Sequence, residues 1–155
     1  MSTITPERSE LEESVQTILG RDHQRLERSF DAILAASTYS DPEDLRALWN
    51  GFERELLAHL EAEEAHLLPG FSKSQPREAQ EILAQHGQIR ERLLELAIDL
   101  DLHSLKPEQV RSFVGETRSH AVKEDVLLYA WASRQLGEGA GARLRHALAQ
   151  GAPRR

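Results

Sequence analysis

Hydrophobic residues recur at helical spacing along four long stretches of the chain, and no stretch shows the alternation of apolar and polar residues that is typical of a strand. The first stretch covers about residues 11–36. The second begins after Asp41 and Pro42, a pair that favours a helix start because aspartate caps a helix and proline fits its first turn. The third follows Pro76 and the fourth follows Pro107. The pattern predicts an all-α fold with four long helices.

The connections between these stretches are short. They lie around Tyr39, around residues 68–71 and around residues 104–106. Short connections favour antiparallel neighbours, so the simplest architecture is an up-down-up-down four-helix bundle.

The chain divides into one domain with two extensions, since 155 residues suffice for one core without disulfides. Gly137, Gly139 and Gly141 interrupt the helical pattern before a short segment that contains Leu144 and Leu148. We predict an N-terminal arm at residues 1–10, the bundle at 11–136, and a glycine-rich tail at 137–155 with a short extra helix or a frayed end.

Composition excludes several classes of function. The net charge is −7 and no basic stripe interleaves with aromatic residues, so we expect no nucleic-acid partner. The chain has no cysteine, which leaves nitrogen and oxygen donors for any metal. Its first residues lack the apolar core of a secretory signal and no stretch approaches a membrane-spanning length, so we expect a cytoplasmic protein without a membrane partner. The oligomeric state stays open.

Four histidines, one on each predicted helix, occupy positions of the apolar stripe. His23, for example, lies four residues after Leu19 and three before Leu26. Residues four apart on a helix share a face, so an imidazole and a carboxylate in a His-x-x-x-Glu pair project toward one point. The four histidines are His23, His59, His86 and His120, and the two pairs are His59/Glu63 and His120/Glu124.

The four histidines also lie at one level of the predicted bundle. His59 is ten residues before Pro69 and His86 is ten after Pro76. At a rise of 1.5 Å per residue, both stand about 15 Å from the same end of the bundle. When residues are counted from the opposite end of the predicted bundle, the levels of the four histidines agree within about one helical turn.

A metal site is the interpretation that this arrangement favours. A lone histidine on an apolar face is more often a core residue with satisfied hydrogen bonds, and a metal-free bundle with core histidines is the structural alternative. Burying Glu63 and Glu124 without a cation would, however, cost several kcal/mol. Four imidazoles and two carboxylates are too many donors for one tetrahedral zinc and too rich in nitrogen for calcium or magnesium, but they suit two first-row ions. A ferritin-like site needs Glu-x-x-His on two helices, and here it occurs once, as Glu63/His66.

The chain resembles the hemerythrin-like, HHE cation-binding family. The resemblance covers about residues 11–136 and rests on four segments: 21–26, 59–69, 85–90 and 120–127. It implies a four-helix bundle with a non-haem centre of two iron ions, bridged by an oxo or hydroxo group. Carried over by position, it implies that His23, His59, His86 and His120 are terminal ligands and that Glu63 and Glu124 bridge the irons.

The chain departs from the oxygen-carrying members of that family at Arg90, where they have a fifth histidine. Either this leaves an open position at one iron, or Arg90 lies outside the site with a hydrated guanidinium. Asp125 competes with Glu124 as the second bridging carboxylate, and the apolar register favours Glu124. We interpret Glu64 as a surface neighbour and His66 as a polar residue at the mouth of the bundle. The alternatives for His66 are a hydrogen-bonding role beside a ligand and a role as a spare ligand. His103 and His146 receive no role.

Two functions fit these observations. The first is a di-iron protein that binds or reacts with O2, NO or peroxide. The second is an iron-sensing or iron-handling module whose metal loading stabilises the fold for a partner. The sequence displays no dedicated general acid or substrate pocket, so no enzymatic turnover is assigned.

Overall fold

The structure is a computed structural model that describes residues 15–39, 41–136 and 140–150. The predicted N-terminal arm, the start of the first predicted helix, and Gly137 and Gly139 lie outside these ranges. The described residues are helical with no β-strand, so the all-α prediction is confirmed. The elements are α1 (Val15–Tyr39), α2 (Pro42–His66), α3 (Leu68–Ser74), α4 (Pro76–Asp101), α5 (Pro107–Glu124), a π-helical segment (Asp125–Tyr129), α6 (Ala130–Gln135) and α7 (Ala140–Ala149).

Four long helices form the predicted bundle. Helix α1 packs against α2 and α5, and α4 packs against the same two helices. The fourth long helix consists of α5, the π-helical segment and α6 in direct succession. Among the described helices, none combines the length and the apolar character that crossing a bilayer requires.

The connection between α2 and α4 differs from the simple loop that the sequence suggested, because residues 68–74 form the short helix α3. Leu68 and Phe71 are buried on it, and Phe71 packs edge-on against Trp131. Gly70 lies so close to Trp131 that a Cβ at this position would meet the indole ring at 2.7 Å. The segment 68–74 is too short to show helical periodicity in the sequence, and tertiary packing stabilises it as a helix.

Helix α7 resolves the two alternatives for the tail. It packs against α1 and α2, and Ala140, Leu144 and Leu148 are buried on its inner face. The extra helix is therefore a packed part of the fold rather than a frayed end.

The apolar core consists of two clusters, one toward each end of the bundle. Leu19 belongs to one cluster and Leu26 to the other, and His23 lies between them on α1. The other long helices repeat this order, so a polar layer separates the two apolar halves. The position of that layer fixes where the site forms.

Candidate metal centre

The six predicted ligands meet in the polar layer between the two apolar clusters. Five of them are buried, and the side chain of His23 is 13% exposed. Their nitrogen and oxygen atoms form two groups, and the atoms within each group lie within 4.8 Å of one another. One group is His23, His59, Glu63 and Glu124, and the other is His86, His120 and Glu124. Glu124 belongs to both groups, so its carboxylate lies between the two clusters of donors.

Glu63 spans the two groups as well. Its Oε1 lies 2.8 Å from Nε2 of His59 and 4.0 Å from Nε2 of His86. The Oε2 of Glu124 lies 3.1 Å from Nε2 of both His86 and His120. The Oε1 of Glu124 lies 3.8 Å from Nε2 of His23, in the other group. Each carboxylate thus lies close to imidazoles of both groups, as carboxylates that bridge two ions do.

The other ring nitrogen, Nδ1, of three of these histidines contacts an oxygen atom outside the two groups. Metal-binding histidines share this feature, because a hydrogen bond from the second nitrogen fixes the tautomer and the orientation of the ring. The three contacts are His59 Nδ1 to Asp22 Oδ2 at 2.5 Å, His86 Nδ1 to Glu64 Oε2 at 2.9 Å, and His120 Nδ1 to Gln85 Oε1 at 2.6 Å.

Arginines hold two of these carboxylates in place. Arg25 pairs with Asp22, and Arg90 pairs with Glu64, with Nη2 of Arg90 2.7 Å from Oε2 of Glu64. Arg90 therefore lies outside the donor groups with its guanidinium half-buried, and it acts on His86 through Glu64. Glu64 is accordingly a hydrogen-bond partner of a site histidine, which the interpretation as a surface neighbour missed.

The charges of the site compensate one another in part. Burial by itself lowers the pKa of His59, but the carboxylates of Glu63 and Asp22 outweigh burial and raise that pKa from 6.5 to about 10. Burial likewise favours the neutral form of Glu63, yet the positive charge of His59 holds the pKa of Glu63 well below its usual range. Without metal, a positive imidazole of His59 stabilises the carboxylate of Glu63.

The second group of donors lacks such compensation. Burial and the negative charge of Glu63 raise the pKa of Glu124 well above its usual value. Burial and the charge of neighbouring imidazoles lower the pKa of His120 to about 4, and burial lowers the pKa of His86. His86 and His120 are therefore neutral, and no positive charge in this group stabilises the ionised carboxylate of Glu124. The neutral imidazoles have lone pairs that are free to bind a cation.

Several buried donor atoms have no hydrogen-bond partner, and this tests whether a cation fits. Both carboxylate oxygens of Glu63 and Nε2 of His120 are buried without one among the described residues. The Oε1 of Glu63 lies close to His59 but outside hydrogen-bond geometry. Buried polar atoms that point at one another's lone pairs are costly unless a cation lies between them, so the donor set fits metal.

Three residues that contact the site histidines were not predicted from the sequence. Tyr129 is fully buried on the π-helical segment, and its phenol oxygen lies 2.6 Å from Nε2 of His23 and 3.2 Å from Nε2 of His59. Asp22 and Gln85 are the others, each adjacent in sequence to a histidine. The adjacency was a usable signal for these two. For Tyr129 the sequence held none, because its position depends on the π-helical turn.

Asp125, the alternative to Glu124, lies at the edge of the donor groups. His66 and His103 lie outside them. Asp125 is 53% exposed, with Oδ1 3.5 Å from Nδ1 of His23, whereas Glu124 is buried. His66 is exposed at the end of α2. His103 has a backbone role, since its φ of 56° ends α4, where the amide of Ser104 donates to the carbonyl of Asp99.

A cavity of about 620 Å³ adjoins the donor groups, lined by residues of α1, α2, α4 and α5. It borders His23, His59, His120 and Glu124, and its other walls are largely apolar. Val122 lines it and is 63% exposed, so the cavity reaches the surface. The hydrophobic pattern of the sequence does not predict this pocket.

A helical bundle with a buried, cysteine-free set of imidazoles and carboxylates defines a metal-binding protein of the nitrogen–oxygen ligand type. Residues 14–132 match the family model described as the hemerythrin HHE cation binding domain. The chain belongs to this family. No curated protein and no solved structure matches it.

Proposed function

We propose that the chain holds two iron ions in this centre and uses them to bind or react with O2, NO or peroxide. In this proposal His23 and His59 bind one ion, His86 and His120 bind the other, and Glu63 and Glu124 lie between the two. The observation that carries the proposal is the apolar cavity that leads from the surface to His23, His59 and His120. A centre with only a structural role has no need of such a path.

The residues of the chain prepare the centre in three ways. The Nδ1 contacts with Asp22, Glu64 and Gln85 direct the Nε2 lone pairs of three histidines toward the centre. The two apolar clusters exclude water from above and below. An iron pair bound there would supply redox change and open coordination positions.

The cavity walls decide which molecules reach the centre. Leu56, Ile89 and Val122 form apolar walls, and the carboxylates of Glu27 and Asp125 also line the cavity, so small neutral molecules pass more readily than anions. Arg118 also lines the cavity, but its guanidinium is held by Glu27 and Asp31 at the surface. The charge of Arg118 is thus neutralised where the cavity opens.

Rapid mixing tests the proposal. Iron-loaded protein is reduced without oxygen and mixed separately with O2, NO and hydrogen peroxide while its absorbance is followed. We expect a fast spectral change with at least one of the three. If iron stays bound and none of the three changes the spectrum, the proposal is wrong.

The burial of two carboxylates favours a second candidate, an iron-sensing or iron-handling module. Glu63 and Glu124 are at most 1% exposed, so loss of the cation leaves charge in the core and destabilises the bundle. A partner would then recognise the metal-loaded fold. An iron centre that is inert toward all three molecules, and whose removal unfolds the helices in circular dichroism, supports this candidate over the first.

A further inference from the structure

The phenol of Tyr129 lies among the donor atoms of one half of the centre. Its oxygen is 2.6 Å from Nε2 of His23 and 3.2 Å from Nε2 of His59, and the residue is 0% exposed. The phenol therefore contacts the same two nitrogens that face the proposed ion, not their outward Nδ1 atoms.

A π-helical turn brings Tyr129 to this position. In an uninterrupted α-helix Leu128, four residues after Glu124, would share the face of Glu124, and Tyr129 would lie about 100° further round. The π-helical segment Asp125–Tyr129 has i→i+5 spacing instead, which returns Tyr129 to that face. Such turns are less stable than α-helix and occur frequently at functional sites.

The distances among four donor atoms match those around one six-coordinate ion. With metal–ligand bonds of about 2.1 Å, adjacent donors of an octahedral ion lie about 3 Å apart. The two Nε2 atoms of His23 and His59 are 3.0 Å apart, and Oε1 of Glu63 is 2.8 Å from Nε2 of His59. The phenol oxygen of Tyr129 adds separations of 2.6 and 3.2 Å to this set.

Hydrogen bonds alone do not satisfy these contacts. The Nδ1 of His59 contacts the carboxylate of Asp22, which places a proton on that nitrogen, so Nε2 has a lone pair in the neutral ring and a single proton to donate in the positive ring of the metal-free protein. This Nε2 is close to three further atoms, and Oε1 of Glu63 among them has no hydrogen-bond partner among the described residues. A cation satisfies all of these atoms at once.

We propose that the phenol oxygen of Tyr129 is an additional protein ligand, bound to the ion that His23 and His59 hold. As the oxygen–metal bond forms, the O–H bond breaks heterolytically and its proton leaves to water. This inference rests on the metal centre proposed above.

Visible and resonance Raman spectroscopy of the iron-loaded, oxidised protein tests the inference. A phenolate bound to ferric iron gives a broad charge-transfer band in the visible, and excitation in that band enhances the ring vibrations of the phenolate. We expect Tyr129→Phe to abolish the band while two irons remain bound. Tyr39→Phe, a change of the other tyrosine of the chain, serves as the matched control and keeps the band.

Isotope labelling covers the case in which Tyr129→Phe does not fold. In Tyr39→Phe grown with ring-deuterated tyrosine, Tyr129 is the only labelled residue, so the enhanced vibrations shift if Tyr129 is the ligand. Two bound irons without a visible band, or a band without the isotope shift, overturn the inference and leave the metal centre intact. A protein that binds no iron overturns both.

Discussion

Asp22 on α1 lies 2.5 Å from Nδ1 of His59 on α2, and both side chains are buried. Arg25 pairs with the other oxygen of Asp22. The carboxylate therefore links two helices of the bundle at the centre and holds the ring of His59 in one orientation. Such partners of metal-bound histidines contribute to metal affinity without touching the metal.

Replacing Asp22 weakens metal binding. We expect Asp22→Asn to lower the affinity for iron by about 10- to 100-fold, because the ring of His59 loses its charged hydrogen-bond acceptor. Competition with a chelator of known affinity measures the change. Asp31→Asn, on the exposed face of the same helix, is the matched control and leaves the affinity unchanged. Equal affinities of the Asp22→Asn variant and the wild type would show that the contact has no such role.

Glu124 and Asp125 are adjacent carboxylates with different predicted effects. Glu124 belongs to both donor groups and is buried, whereas Asp125 is largely exposed. We expect Glu124→Gln to lower iron affinity at least about tenfold. In the metal-free protein the same change raises the free energy of unfolding by on the order of 1 kcal/mol, because a buried carboxylate is removed.

Chelator competition and denaturant unfolding of the metal-free protein measure the two effects of Glu124→Gln. Glu116→Gln, a change of an exposed carboxylate on the same helix, is the control and leaves both quantities near their wild-type values. Asp125→Asn, next to Nδ1 of His23, lowers iron affinity less than Glu124→Gln does. The reverse result, with Asp125→Asn impaired and Glu124→Gln unaffected, would assign the bridging role to Asp125.

Gly20 gives a test of access to the centre. It lines the cavity, and a Cβ at this position meets no atom within 4 Å, so a larger side chain extends into the cavity without a backbone clash. We expect Gly20→Phe to slow the reaction of the reduced iron protein with O2, NO or peroxide at least about tenfold, with unchanged iron content.

Gly51→Phe is the matched control for Gly20→Phe. Gly51 is also a helical glycine with open space around it, and it does not line the cavity. Stopped-flow rates for the two variants and the wild type decide the matter. If Gly20→Phe and Gly51→Phe react at the same rate, small molecules reach the centre by another path.

The stability of the metal-free protein depends on pH through His59 and Glu124. The pKa of His59 is about 10 in the folded protein against 6.5 ordinarily, so its stabilising contribution is complete below pH 6.5 and is lost as pH rises toward 10. The raised pKa of Glu124 acts in the same direction. The lowered pKa values of His86 and His120 act in the opposite direction, but their effect is nearly complete about one pH unit above the ordinary histidine value. We expect the denaturant midpoint of the metal-free protein to fall from about pH 7.5 to 9.

Metal loading changes this dependence on pH. The bound form of His59 is the deprotonated one, so iron-loaded protein does not lose the contribution of a protonated His59 as pH rises. Midpoints of both forms between about pH 7.5 and 9 provide the comparison. A metal-free protein whose midpoint is constant or rises over this range contradicts the assigned charge on His59.

The bundle and the convergence of the six donors could be predicted from the sequence, because the α-helical period determines the face on which each residue lies. His59 and Glu63 share a face by their spacing alone, and the chain reversals set their level. The sequence did not predict which side chains of other helices contact the site histidines. Periodicity shows the face on which a residue lies, but it does not show which side chain of a neighbouring helix packs there. Glu64 is one example, and its contact with His86 depends on how α2 and α4 pack.

The position of Tyr129 in the site and the helix α3 were not predicted from the sequence for a different physical reason. Both depend on local geometry that tertiary packing imposes against the regular pattern. A single extra residue in one turn brings Tyr129 to the site, and contact with Trp131 holds Gly70 within a helix. Neither changes the hydrophobic pattern from which helices are predicted.

Elemental analysis of protein purified from iron-replete cells tests the central claim most directly, with a variant that carries both His59→Ala and His120→Ala as the comparison. The proposed centre predicts two iron ions per wild-type chain and a loss of both in the double variant, which takes one imidazole from each ion. Wild-type protein without bound iron, or a double variant that keeps both ions, would contradict a centre built from these histidines and glutamates.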